Sequence, residues 1–179
     1  MHIMIDVCNG LKHMHENGVS HRDIKVENIL LSQRSFKICD FGSASTDQLD
    51  PNTCTGQQLD EQMEEYEKFT TMMYRPPEMI DRYKKFKVDT QADVWMLGCV
   101  AFSLCFFMHP FQDAQKIAIL NAQYFVPDTD HDRISQKFRD LIHVILVPNP
   151  AERPTIDQIL QLLNQWNSLP RIILTKSAE

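Results

Sequence analysis

The chain has 179 residues, 43% of them hydrophobic and 23% charged, a globular composition that excludes a fibrous or disordered chain. A chain of this size can bury roughly two-thirds of its unfolded surface in one core, so a single domain is expected. The net charge of -6 excludes a broadly basic nucleic-acid surface, and the five cysteines are odd in number, with neither a CxxC pair nor a zinc-type spacing. Reduced thiols in a cytosolic or nuclear compartment follow, and a cytoplasmic location is the expectation.

In chain order, Ile3, Val7, Leu11 and Met14 recur at helical spacing and predict an amphipathic helix over the first fifteen or so residues, ended by Asn17-Gly18. No basic stretch leading into an apolar core and a cleavage site opens the sequence, so no secretory leader is expected. The short apolar runs Ile29 to Leu31 and Phe36 to Cys39, separated by polar residues, predict two strands and a hairpin-like turn.

A long polar segment follows, from Ser43 to Thr71, with Asp60, Glu61, Glu64, Glu65 and Glu67 as an acidic cluster. Leu59, Met63 and Tyr66 fall at i, i+4 and i+7, so a short helix with an acidic outer face and a solvated acidic loop both fit this stretch. Beyond it, helices are predicted over Thr90 to Met108, near Ala114 to Asn121, over Ser135 to Val147 and over Thr155 to Trp166. Thr155 with Gln158 three residues on reads as a capping box.

Val94 to Gln112 carries no Lys, Arg, Asp or Glu and approaches the length of a membrane span. Gly98, Ser103, His109 and Pro110 break that run, which makes it a buried core helix rather than a transmembrane segment. With no repeat or linker visible, one domain over 1–168 and a C-terminal tail over 169–179 are expected.

The string that carries chemistry is His21-Arg22-Asp23-Ile24-Lys25-Val26-Glu27-Asn28, followed twelve residues after Asn28 by Asp40-Phe41-Gly42. It resembles the catalytic loop and metal-binding motif of protein kinases. Phosphoryl transfer asks a protein for acidic or amide metal ligands, a group that orients the attacking hydroxyl and a cation near the phosphates, and this string holds each type. By the resemblance, Asp23 orients or accepts the proton of the attacking hydroxyl, Lys25 offsets charge on the transferring phosphate, and Asn28 with Asp40 holds Mg2+.

The resemblance extends along the chain. Tyr74-Arg75-Pro76-Pro77-Glu78 is similar to the end of a kinase activation segment, here 40–78, with Pro76 where alanine is usual. Glu78 is then expected to pair with Arg153. Asp93, in Asp93-Val94-Trp95-Met96-Leu97-Gly98, is expected to hold the catalytic-loop backbone. Leu30, Val100 and Leu104 match the apolar stack under the adenine of ATP, His21 and Phe41 match the regulatory stack, and Cys39 would line the back of the nucleotide site. Gly42 completes the metal-binding motif. Lys25 and Thr71 match the serine/threonine class. Arg22 is of the type that can bind a phosphate on the activation segment, with Thr46, Thr53, Thr55, Tyr66 and Thr70 as available acceptors.

Within the kinases the chain is most similar to the Numb-associated and actin-regulating group, through the Lys-Val-Glu-Asn run, Cys39 to Ala44, Tyr66 to Thr71 and Ala92 to Cys99. That likeness implies ATP and Mg2+ as cofactors, phosphorylation of serine or threonine in protein substrates, clathrin-adaptor or endocytic proteins among the partners, and peripheral placement at endocytic membranes. It also implies an additional helix after Glu78. No three of the five glycines form a GxGxxG loop and no Val-Ala-Ile-Lys-like lysine is present. The fold expected is therefore mainly α: a kinase-like C-terminal lobe with a small hairpin, without the β-rich N-terminal lobe. A module that docks partners without transferring phosphate is the alternative.

Overall fold

The computed structural model describes residues 1–127 and 134–168. The expected tail over 169–179 lies outside the described residues. Among the described residues, six α-helices and one hairpin, joined in places by short 3-10 turns, make up the regular structure: α1 (His2–Glu16), β1 (Ile29–Ser32), β2 (Ser35–Ile38), α2 (Gly56–Phe69), α3 (Gln91–Phe106), α4 (Lys116–Leu120), α5 (Gln136–Ile145) and α6 (Ile156–Ser168). The chain is thus mainly helical with a two-stranded sheet, as the sequence predicts.

α1 ends where Asn17 and Gly18 stop it: the Asn17 Nδ2 donates to His13 O at 2.7 Å, and Gly18 adopts φ +71°. A left-handed backbone there suits a residue without Cβ. The buried stripe of α1 is Met4, Val7, Cys8, Leu11 and Met14, the expected face at Val7, Leu11 and Met14, with Met4 in place of Ile3, which is only partly covered. This stripe packs on α6 and β2. α6 begins with the expected capping box, in which Thr155 N donates to Gln158 Oε1 at 2.8 Å and Gln158 N donates to Thr155 Oγ1 at 3.3 Å.

α3 is the axis of the core. Every residue from Ala92 to Phe102 is buried, so the helix has no solvent face. A helix that is apolar all round belongs inside a protein or a membrane, and among the described residues no helix is long and apolar enough to cross a membrane. Gly98 lets α5 come close: a Cβ there would stand 2.5 Å from Ile145 Cγ2 and 2.8 Å from Leu146 Cδ2. Trp95 stacks on Phe111 with ring centroids 5.4 Å apart, and Tyr124 meets Phe111 edge-on at 5.8 Å.

The polar segment resolves in favour of helix. α2 runs for 14 residues and opens with a second capping box, Thr55 with Gln58. Leu59 and Tyr66 are buried and Met63 partly so, while the acidic residues face outward. The additional helix expected after Glu78 is not there: between Glu78 and α3 the backbone makes only short 3-10 turns, at Pro77–Met79 and Arg82–Lys84. The helix of this region precedes Glu78 instead, because the apolar spacing needed to dock one is at 59, 63 and 66. All five cysteines are free.

Candidate active site

The catalytic loop is hung from the first turn of α3. Asp93 is fully buried, and its Oδ1 accepts from Arg22 N at 2.8 Å while its Oδ2 accepts from His21 N at 2.8 Å and His15 Nε2 at 2.9 Å. A buried carboxylate is tolerable only when its oxygens are satisfied, and here the donors are the backbone amides just before Asp23. The loop is thereby fixed to the buried axis of the core. His21 contributes twice more: Asp23 N donates to its Nδ1 at 3.3 Å, so its Nε2 carries the hydrogen given to Cys39 O at 3.1 Å. Its ring also lies 5.3 Å from that of Phe41.

Asp23 is the hub. Its Oδ1 accepts from Thr71 N at 3.1 Å and from the Thr71 hydroxyl at 2.9 Å. Its Oδ2 accepts from Lys25 Nζ at 2.7 Å and from Asn28 Nδ2 at 3.2 Å. Lys25 Nζ also donates to Thr71 Oγ1 at 2.9 Å, closing an Asp23, Lys25, Thr71 triangle. Thr71 lies 48 positions after Asp23 in sequence, so this contact is made by the fold. The triangle fixes one carboxylate and one ammonium side by side, the pair needed beside an attacking hydroxyl and a transferring phosphate.

The hairpin sets the second half of the site. β1 and β2 pair antiparallel with Ile29 opposite Ile38, and Cys39 N donates to Asn28 O at 2.9 Å. Asn28 and Asp40 therefore leave the same open end of the hairpin. Asn28 Nδ2 is committed to Asp23, including its carbonyl at 2.9 Å, which leaves the amide oxygen for a ligand. Asp40 adopts φ +62° and is exposed, its Oδ1 accepting from Gly42 N at 3.3 Å. A non-glycine residue at positive φ is strained, and such strain gathers at functional sites. One amide oxygen and one carboxylate suit Mg2+, which takes few protein ligands and completes its shell with water and phosphate oxygens. Among the described residues no three His, Cys, Asp or Glu gather into a closed metal cage.

Below the site, Glu78 and Arg153 form the expected pair. Arg153 Nη1 and Nη2 donate to the two Glu78 carboxylate oxygens at 2.6 and 2.7 Å, with both side chains wholly buried. The remaining donors reach Val147 O, Gln91 O and Pro148 O at 3.0, 2.9 and 3.1 Å, and the guanidinium lies over the Trp95 ring. The end of the activation segment is thus tied to α3 and to the turn before α6.

Of the sequence-predicted residues, the structure brings Asp23, Lys25, Asn28 and Thr71 into direct contact and sets Asp40 at the adjoining strand end. Leu30, 53% exposed, and Phe41 line an uncovered apolar edge of that same hairpin end. Cys39 is half-buried beside them. Arg22 is buried under α2 rather than open to a phosphate. Sequence reasoning missed His15 and the contacts that Arg75 and Tyr66 make. His15 sits on the polar side of α1's pattern, and only its place beside Asp93 marks it. Arg75 lies inside the Tyr74 to Glu78 motif, but nothing local shows that burial pushes its guanidinium below the ordinary range, with Glu67 and Asp23 opposing that shift.

Residues 1–164 match the family described as protein kinase domain. The chain belongs to the protein kinase family. It is 40% identical over 167 residues to a probable serine/threonine-protein kinase of Dictyostelium discoideum and 37% identical over 166 residues to a second one from that organism, covering 91% and 90% of this chain. Actin-regulating kinase 1 of Saccharomyces cerevisiae is 34% identical over 173 residues, 95% of this chain. The chain spans 20%, 14% and 26% of the length of these three relatives. Protein kinases in general use ATP and Mg2+ and act on protein substrates.

Proposed function

We propose that this chain is the large lobe of a serine/threonine kinase that moves the γ-phosphate of ATP to a serine or threonine hydroxyl of a protein substrate. The observation that carries the reading is the Asp23, Lys25, Thr71 triangle, in which both carboxylate oxygens are oriented by donors from separate parts of the chain. Asp23 receives the proton of the attacking hydroxyl, and Lys25 stands beside the phosphoryl group as charge builds on it. Asn28 and Asp40 would hold Mg2+, which neutralises the phosphates when bound. Thr71 keeps Asp23 aimed and marks the hydroxyl class of the acceptor. The exposed side chains of Val26, Leu30 and Phe41, around the open end of the hairpin, are where adenine and a small lobe would sit. The likeness to Actin-regulating kinase 1 favours the Numb-associated and actin-regulating group, and with it endocytic substrates and a cytoplasmic site of action.

The test is a transfer assay with ATP, Mg2+ and a general serine/threonine substrate, run on this chain and on the protein extended upstream. The chain alone is expected to bind ATP weakly and transfer poorly, and the extended protein to be active. Asp23→Asn in the extended protein should lower turnover by about a hundredfold or more, since general-base assistance is worth that much. Strong transfer by the short chain would refute the need for a covering lobe. Absence of transfer in the extended protein would leave a docking module.

A further inference from the structure

Four arginines are buried among the described residues, and three of them are well supplied with acceptors. Arg153 meets Glu78 and three carbonyls. Arg75 donates to Glu67 O at 2.8 Å and to Thr70 O and Thr70 Oγ1 at 2.6 Å each. Arg22 donates to Asp47 O at 2.6 Å and has the Glu65 carboxylate 3.7 Å away. The fourth, Arg139 on α5, is 6% exposed and keeps one long hydrogen bond, from Nε to Ile134 O at 3.4 Å. Its Nη2 is buried without a partner, and among the described residues no carboxylate pairs with it. Its guanidinium carbon lies 5.5 Å from the Phe106 ring centroid. A buried ion is costly unless it is paired, and a ring face returns only part of what water gives a cation.

This unpaired charge stands behind an apolar cavity. The start of α1, the end of α3 and the start of α5 enclose about 450 Å3, walled by Ile3, Met4, Leu104, Cys105, Ile134 and Phe138. Sites for small molecules have this size and this composition, apolar walls with a few placed polar groups. Arg139 is tied to two of the walls. It donates to the carbonyl of Ile134, and its charge acts on Cys105, whose thiol is pushed up to about 11 by burial, with the chain's amino group and Arg139 opposing the rise. Cys105 and Ser135, which also lines the cavity, are small side chains, so a headgroup reaches the guanidinium past little bulk.

We propose that this cavity binds a single-chain fatty acid, with its carboxylate on the Arg139 fork and its alkyl chain along Ile3, Met4, Leu104 and Phe138. A planar guanidinium with a free donor edge matches a carboxylate through two parallel hydrogen bonds. The ligand's anion then supplies the partner that the described residues do not. An alcohol of the same length offers the walls equal apolar area and leaves the cation unpaired. The site sits at the end of α3 opposite Asp93, and its occupancy can be read without any phosphate transfer.

The test uses the protein extended upstream, with decanoate and 1-decanol as probes and calorimetric titration as the readout. Decanoate should bind one to one and at least about tenfold tighter than 1-decanol, because charge-assisted hydrogen bonds are the stronger kind. Arg139→Leu should bring the two probes within about twofold of each other. Its urea midpoint should not fall, since the change removes a buried charge that nothing pairs. Cys105→Phe fills the cavity and should weaken both probes by about tenfold or more. If Cys105→Phe fails to fold, 1-decanol and Arg139→Leu decide alone. Absence of saturable decanoate binding, equal affinity for the two probes, or a preference that survives Arg139→Leu overturns the site. So does a marked loss of stability in Arg139→Leu, which would make the guanidinium a structural group. The kinase reading stands in each of those cases.

Discussion

Around Arg153 every donor is paired and dry, whereas around Asp40 the side chains stand open to solvent on a strained backbone. The guanidinium meets Glu78 and three backbone carbonyls with no exposed surface. Asp40, Phe41 and Leu30 are all exposed near the open end of the hairpin. The first region holds two distant segments together, and its guanidinium and carboxylate are saturated by the chain. The second leaves oxygens and apolar area open, as the proposed nucleotide and Mg2+ site would require.

That contrast can be broken most sharply at Arg153. Arg153→Met should cost about 3–5 kcal/mol, because it strands a buried Glu78 carboxylate, and a shift in the urea midpoint would register it. A change under about 1 kcal/mol would mean that the pair is better hydrated than its burial implies.

His109, in the same dry region, sharpens the comparison through pH. Its Nδ1 accepts from Phe111 N at 3.1 Å, its ring meets Tyr74 edge-on at 4.4 Å, and burial pushes its pKa down to about 4 from the ordinary 6.5. The charged form is favoured in the unfolded chain, so that chain binds the extra proton between those values. Stability is therefore full above about pH 6.5 and falls as the solution is acidified toward pH 4, by about 1–2 kcal/mol near pH 5. His109→Asn keeps an acceptor for the Phe111 amide without titrating, and its melting temperature should fall less steeply over that window. An unchanged slope would remove His109 as the cause.

At the open face the expected effect on stability is smallest. Leu30→Ser should change unfolding free energy by less than about 0.5 kcal/mol, since the side chain is already half in water. In the extended protein the same change should raise KM for ATP. A large loss of stability with no change in KM would make Leu30 a core residue rather than part of a nucleotide floor.

Much of this organisation was written in short stretches of sequence. Residues 21–28 and 40–42 are contiguous, so their chemistry could be read before any fold was known, and the apolar runs on either side of Ser32 to Ser35 already implied the hairpin that presents Asn28 and Asp40. Helical periodicity placed α1, α3, α5 and α6 to within a few residues, because each buries a face that repeats every turn. The segment from Ser43 to Thr71 stayed ambiguous because three apolar residues among many acids support either a docked helix or a loop. What it docks on lies elsewhere in the chain.

By itself the sequence determined the family and the mainly helical fold, and it marked 21–28 and 40–42 as the candidate site, since local spacing and side-chain type suffice for those. Only the tertiary structure decided that Thr71 closes on Asp23, that His15 shares Asp93, and that α2 seals Arg22 and Arg75. Those contacts join residues tens of positions apart, and no local pattern encodes which distant partner will satisfy a buried charge.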